Sequence, residues 1–362
     1  MLDQPWIRTG PSNHVYVAYN DFFYAGSKNG GATAYVAVST TGGTNYTPVV
    51  IDRLASTDLQ DSPEVRLAVN GNTAYAVFLH RTSVIDSTTD PFTNKPTQER
   101  YTSQVVVVRS DTGGADDFTA LGGAGNGVQV AAPTSYAADA APEGTSSLSL
   151  SLGQERTDAE LAIAVDPNNP NRVIVVYGAA PGASISAANT QLIVAESTDG
   201  GATWGTKATL SASLTNYALP ALSILANGSV GLLYGDYNFG TNTLDQHLLT
   251  TTDDFASTPS DVLLGTEKNG TPAIQGATYL GDFFDLTSVG NNFYGTFSAS
   301  NLDDGTNATI NDPSNNPFLR KFSGTPGTAN FQLTDTTGMP IAGSIDPYVF
   351  SGHGSIQRDV NA

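Results

Sequence analysis

The sequence predicts an all-β fold, a β-propeller of four-stranded antiparallel blades, and three observations lead there. Only 14% of the 362 residues are charged while glycine alone supplies 37, and no stretch of a dozen residues spaces its apolar side chains as a helix would. A unit of short strands recurs five times, and repeats of this size imply supersecondary units that share a core by stacking. Each unit runs apolar strand, tight Gly/Asn turn, strand ending in an aromatic, variable loop, third strand, Gly-rich turn and fourth strand. That is the order a propeller blade requires.

The first blade, about 1–52, reads "DQPWIRTG", "HVYVAYND" and "ATAYVAVSTTGGTNYTPVVI". The second, 58–120, runs "DSPEVRLAVNGNTAYAVFLHR" and then "SQVVVVRSDTGGADDFTAL". The third, 155–210, is built on "DAELAIAVDPNNPNRVIVVYG" and "TQLIVAESTDGGATWGTKATL". The fourth, 216–264, contains "YALPALSILANGSVGLLYGDYN" and "LDQHLLTTTDDFASTPSDVLL". The fifth, 278–334, opens on "YLGDFFDLTSVGNNFYGTFSASN" and ends in "NPFLRKFSGTPGTANFQL". A last strand at 344–351, "SIDPYVFS", closes the ring or starts a sixth blade. Residues 1–352 then form one propeller domain, and 353–362 a tail.

Loop lengths give the ring two unlike faces. With strands A to D running outward from the axis, A starts and B ends share one face with the B–C loops, and the A–B and C–D turns share the other. A–B turns are minimal (69–73, 225–229, 289–293), whereas the B–C loops at 20–31, 80–103 and 301–317 are long. Function concentrates on elaborated loops carried by a rigid scaffold, so the near face, where A strands start, is the candidate site face. Residues 121–153 read as a D–A connection draped over it, a lid or a passive linker.

A net charge of −19 argues against nucleic acid and anionic membrane as partners, because both repel such a surface. The absence of cysteine excludes disulfides and thiolate metal sites. No apolar run approaches the roughly 20 residues of a membrane span, so membrane insertion is not expected. The first ten residues show no signal-peptide pattern, and Met1 reads as the start of a processed or shortened chain. The four histidines lack zinc spacing. The oxygen-rich stretch 303–312 is where Ca²⁺ would bind, although it lacks the order of an EF-hand loop; no cofactor is required.

Candidate residues follow from the near face. Asp61, Glu155, Asp282, Tyr217 and Tyr279 are the catalytic candidates, since paired carboxyl groups serve as acid and base or nucleophile. Asp3, Arg66, Arg81, Arg156, Asp236, Tyr237 and Asp346 are the substrate-binding candidates, the arginines because their forks pair with carboxylates. Plainer roles stand beside these. Asp3, Asp61 and Asp346 can cap turns or neighbouring N–H groups, Arg66 and Arg156 can pair with acids at blade junctions, and His80 reads as a solvated loop residue.

The turn "STDGGATW" (197–204) resembles the Asp box, S-x-D-x-G-x-x-W, of sialidases and other BNR-repeat propellers, with Ser197, Asp199, Gly201 and Trp204 as its structural residues. Related turns stand in register at 39–46, 110–118 and 251–255. Across residues 3–350 the chain resembles bacterial secreted proteins labelled exo-sialidase-like, through "DQPWIRT", "GQERTDAELAIAVDPNNPNRV", "YLGDFFDLTSVGNNFYGTFSASN" and "SIDPYVF". Such relatives usually carry one or two further blades before the "DQPW" segment. Sialidases use a tyrosine nucleophile backed by a glutamate, an aspartate acid and three arginines on the substrate carboxylate. Arg66 and Arg156 match two of those arginines, and the Arg-Ile-Pro signature is absent. The resemblance implies an extracellular, monomeric glycoside hydrolase or related enzyme acting on an anionic glycan at an axial pocket. The alternative is a non-catalytic carbohydrate- or protein-binding adhesion propeller.

Overall fold

The computed structural model describes residues 2–21, 34–52, 64–89, 96–122, 127–137, 160–180, 190–238, 240–241, 243–268, 284–300, 321–323, 332–334 and 345–353. Among them every regular element is a strand. Blade 1 is β1 (Leu2–Thr9), β2 (Val15–Asp21), β3 (Ala34–Ser39) and β4 (Thr47–Val50), hydrogen-bonded in that order. Blade 2 is β5 (Val65–Asn70), β6 (Thr73–Thr89), β7 (Pro96–Ser110) and β8 (Val128–Ala131), with β9 (Thr134–Ala137) also paired to β7. Blade 3 is β10 (Leu161–Asp166), β11 (Asn169–Ala179), β12 (Gln191–Ser197) and β13 (Gly205–Leu210). Blade 4 is β14 (Thr215–Ile224), β15 (Val230–Asn238), β16 (Thr243–Thr251) and β17 (Ser260–Lys268). Blade 5 begins with β18 (Asp285–Val289) and β19 (Asn292–Ser300). The short β20 (Lys321–Ser323) and β21 (Gln332–Thr334) pair with each other, and β22 (Ile345–His353) completes blade 5 beside β19.

Three sequence expectations need correction. The fourth strand of blade 2 lies at 128–131, beyond the expected end at 120, so residues 128–137 belong to the blade and not to a draped connection. The stretch 80–103, read as a loop, is largely a hairpin in which β6 and β7 pair from Arg81↔Ser103 to Thr89↔Pro96. The C-terminal strand does not start a sixth blade but joins the fifth. It pairs antiparallel with β19 from Ser300↔Ile345 to Asn292↔His353, taking the third position in that sheet ahead of the "NPFLRKF" segment.

Alternating side chains send each middle strand into two apolar layers. In β6, Ala74, Ala76 and Phe78 face blade 1, while Tyr75, Val77 and Leu79 face blade 3, and all six are buried. Such strands must be apolar on both faces. The outer β13, "GTKATL", is instead polar and half exposed. Two further layers join blade 3 to blade 4 and blade 4 to blade 5, the last through Phe284, Phe293 and Phe297. Each buried Val, Leu or Phe in them contributes about 1.5–3 kcal/mol. No such layer joins blade 5 to blade 1 among the described residues. There Ile7, Val289 and Val349 are 57%, 64% and 59% exposed, and Arg8 meets Asp285 at 3.6 Å.

The four described C–D turns share one mechanism. A hydroxyl at the first position accepts the N–H four residues on: Gly201 to Ser197 at 2.8 Å, Gly43 to Ser39 at 3.0 Å, Gly114 to Ser110 at 2.7 Å and Phe255 to Thr251 at 3.2 Å. In the third blade Ser197 donates to Asp199 at 2.8 Å, and Asp199 accepts from the Thr203 N–H and hydroxyl at 2.9 and 2.6 Å. Gly200 and Gly201 take φ of 73° and 90°, which side chains resist. These turns lie on the far face, where Arg109 of blade 2 donates to the Gly200 carbonyl at 2.7 Å. Trp204 donates to the Gly201 carbonyl at 3.0 Å and lays its ring on the layer between blades 2 and 3.

Candidate functional site: the blade-4 wall

The axis of the ring is narrow. Trp6, Arg8, Arg66, Leu161, Ala162, Ile163, Pro220, Ala221, Leu222 and Asp285 line it, one or more residues from every blade. The guanidinium groups of Arg8 and Arg66 stand 4.8 and 4.6 Å from the Trp6 ring centre, a cation–π arrangement on the channel wall. Arg66 is buried and pairs with Glu64 at 2.9 Å. Arg66 thus sits in an ion pair within blade 2 while its guanidinium also lines the axis. Arg81 is likewise buried at 5% exposure. His80, expected in solvent, is buried against Asp52 of blade 1 at 3.0 Å.

The described residues instead gather their chemistry on one face of blade 4. Register does this: Tyr217 opposes Asp236, Asp236 opposes Asp245, and Tyr234 opposes His247, so all five side chains share a face. That face looks toward blade 3, because Tyr217 and Tyr234 join the layer between blades 3 and 4. Asp261 of β17 completes the wall. His247 Nδ1 stands 3.2 Å from Asp261 Oδ1, and the Tyr234 hydroxyl donates to Asp261 Oδ2 at 2.8 Å. The Tyr234 ring stacks on the imidazole at 5.0 Å and 8°. On its other side His247 Nε2 faces Asp236 Oδ2 at 3.7 Å.

Burial and charge shape this wall electrostatically. Burial pushes the Asp236 carboxyl up to about 6, with Asp245 and Asp261 adding to the rise and His247 opposing it. Asp245 also rises through burial. Burial acts to raise Asp261 as well, but its hydrogen bonds with His247 and Tyr234 outweigh that and hold it low. For His247, burial disfavours the cation, yet the hydrogen bond and charge of Asp261, with Asp236 and Asp245, raise its pKa. Tyr217 is raised by burial and then by Asp236, so it stays a neutral phenol. The wall can accept hydrogen bonds at its carboxylates, exchange protons, and offer a half-buried aromatic edge.

Of the sequence candidates, Tyr217 and Asp236 are brought together by the structure as register partners. Sequence reasoning misplaced Tyr237, which points the opposite way and is buried with Leu244, Leu248 and Phe284 between blades 4 and 5. It missed Tyr234, Asp245, His247 and Asp261, although "YGD" and "DQH" at 234–236 and 245–247 place polar residues two apart on adjacent strands. Asp61, Glu155, Arg156, Tyr279 and Asp282 lie outside the described residues, as does the 303–312 stretch. Asp3 and Asp346 sit on β1 and β22, pairing with Asn20 and Ala299.

Sheets ordered around an axial channel define the chain as a β-propeller protein. No family model and no curated protein matches it. Among solved structures it is similar to a protein of unknown function from Dyadobacter fermentans, at 12% identity and TM-score 0.48, over 82% of this chain and 75% of that one. It is also similar to an alpha-L-arabinanase of Penicillium chrysogenum, at 11% identity and TM-score 0.44, over 82% of this chain and 88% of that one. A Trypanosoma rangeli sialidase shows 14% identity and TM-score 0.44, over 82% of this chain but 43% of that one. At such scores these likenesses carry no argument about activity. No helix among the described residues is long and apolar enough to cross a membrane.

Proposed function

We propose that the chain is a secreted carbohydrate-active propeller whose sugar contacts are made on the blade-4 wall by Tyr217, Asp236, His247 and Asp261. One observation carries this reading. A half-buried tyrosine, two carboxylates and an imidazole share one sheet face, and His247 and Asp261 keep 18% and 40% of their side chains exposed. Carboxylate oxygens accept from sugar hydroxyls, an aromatic ring packs on sugar C–H groups, and a few fixed polar groups set orientation.

The wall favours a neutral glycan over the anionic one suggested by the sequence. Three of its residues are acids, the chain carries −19, and the described arginines of the candidate set are buried. A like-charged ligand would be repelled. Glycan-array binding tests this: neutral oligosaccharides are expected to bind, with signal lost in Tyr217→Ala and Asp236→Asn. No binding, or binding unchanged in both variants, would remove the reading. The same panel reads hydrolysis, the stronger form of the proposal. Product release would extend binding to turnover, and intact ligands would leave a binding propeller.

A further inference from the structure

The blade-4 wall also has the geometry of a metal centre, and this inference stands apart from the sugar reading. One ligand atom each from Asp236, Asp245 and His247 lies within 4.8 Å of the others, so a small inward shift of these side chains brings them to the roughly 3.5 Å spacing of donors that share one ion at about 2.0–2.2 Å. Two further observations point to an ion there. Asp245 Oδ1 is sealed from solvent and accepts no hydrogen bond, a costly state for a carboxylate oxygen. The imidazole is also oriented for coordination. Its Nδ1 donates to Asp261 at 3.2 Å, which commits that nitrogen to the carboxylate and leaves Nε2, facing Asp236, as the ring nitrogen open to an ion. The separation there, 3.7 Å, is too long for a hydrogen bond. Asp261 is fixed in turn by the Tyr234 hydroxyl at 2.8 Å. A carboxylate behind a histidine is the support that metal-binding imidazoles use.

We infer that Asp236, Asp245 and Nε2 of His247 form a binding site for a divalent transition ion of the zinc type, held in orientation by Asp261 and Tyr234. The donor set decides the class of ion. One imidazole nitrogen with two carboxylates suits zinc or a neighbouring transition metal, whereas calcium and magnesium take oxygen ligands throughout. Three protein ligands leave a coordination position open, as in sites that admit water or a ligand. The zinc spacing sought in sequence concerned histidine pairs. Here β-pairing supplies the ligands: two come from one strand at i and i+2, and the third lies opposite on β15.

Calorimetric titration of Zn²⁺ into the intact chain after chelation and dialysis tests the site. One ion per chain is expected, and Ca²⁺ should give no saturable heat. His247→Gln and Asp245→Asn should abolish saturable binding, and Asp261→Asn should weaken it by about 10–100-fold. Asp253→Asn, on the far face, should leave it unchanged. Absence of saturable Zn²⁺ binding, or equal affinity in His247→Gln and Asp245→Asn, would overturn the proposal. Co²⁺ offers a check on the parent chain that does not depend on any variant's folding. Bound in this N/O set it should show visible absorption of four- or five-coordinate cobalt, and a spectrum of hydrated Co²⁺ alone would count against the site. Zinc binding without sugar binding would keep this site and remove the glycan reading; sugar binding without zinc would do the reverse.

Discussion

Glu64 of blade 2 accepts the main-chain N–H of Leu161 in blade 3 at 2.6 Å, while its other oxygen holds Arg66 at 2.9 Å. Glu160, the next residue of its kind along the ring, repeats the first contact by accepting Leu219 N–H of blade 4 at 2.6 Å. Leu219 has φ of 57° at a bulge in β14, which turns its N–H out of the ladder toward that carboxylate. The inner strands are thus tied blade to blade by buried glutamates. Glu64→Ala should destabilise the chain by about 3–5 kcal/mol, since it takes the ion-paired carboxylate from a buried guanidinium and strands a buried N–H. Glu64→Gln should cost less, because it keeps an acceptor. Urea unfolding of both variants checks the order, and equal losses would contradict it.

Asp199 gives a pH prediction. Hydrogen bonds from the Thr203 hydroxyl and N–H, and then from Ser197, lower its carboxyl from 3.8 to about 2. A depressed folded value means its contribution is present above about pH 4 and is lost as pH falls toward 2. Asp199→Ala should lower the melting temperature at neutral pH, and the gap from the parent should shrink across that acid window. Ligand affinity should not change, since the turn lies on the far face. Thermal melts from pH 2 to 7 together with array binding measure both.

Arg172 joins blades 3 and 4 on that same far face. It donates to Asp166 and to Glu196 at 2.9 Å each and to the Gly228 carbonyl at 3.1 Å, and it meets Asp254. Lysine cannot reproduce this fork. Arg172→Lys should lose about 1–2 kcal/mol and Arg172→Ala about 2–4 kcal/mol, with Lys207 still neutralising Glu196 from 2.6 Å. Chemical denaturation should show this ranking.

Gly231 is required by packing alone. A Cβ there would lie 2.6 Å from Cε1 of the fully buried Phe293 ring, in the layer between blades 4 and 5. Gly231→Ala should cost about 1–3 kcal/mol through overpacking. Phe293→Leu in the same chain should recover part of it, and a double-mutant cycle reads the coupling.

Tyr217 and Tyr237 should separate binding from stability. Tyr237→Ala leaves a cavity between blades 4 and 5 and should cost about 3–5 kcal/mol. Tyr217→Phe should stay within about 1 kcal/mol of the parent and still weaken sugar binding. If Tyr217→Phe bound sugar as the parent does, its hydroxyl would have no part in recognition.

Local chemistry explains what could be read from the residues. Strand period, the Gly/Asn turns and the hydroxyl-centred C–D turns depend on hydrogen bonds and apolar alternation within a few residues. The all-β repeat and its four-stranded units were therefore legible in the sequence alone. Long-range pairing decided the rest. The strand at 345–353 takes the third place in blade 5 because β19 offers an edge that residues tens of positions away can fill. Arg66, His80 and Tyr237 are buried because a neighbouring blade covers them, which their own segments do not reveal. The blade-4 wall arises the same way: Tyr217, Asp236, Asp245 and His247 come from three strands, and only cross-strand register sets them on one face.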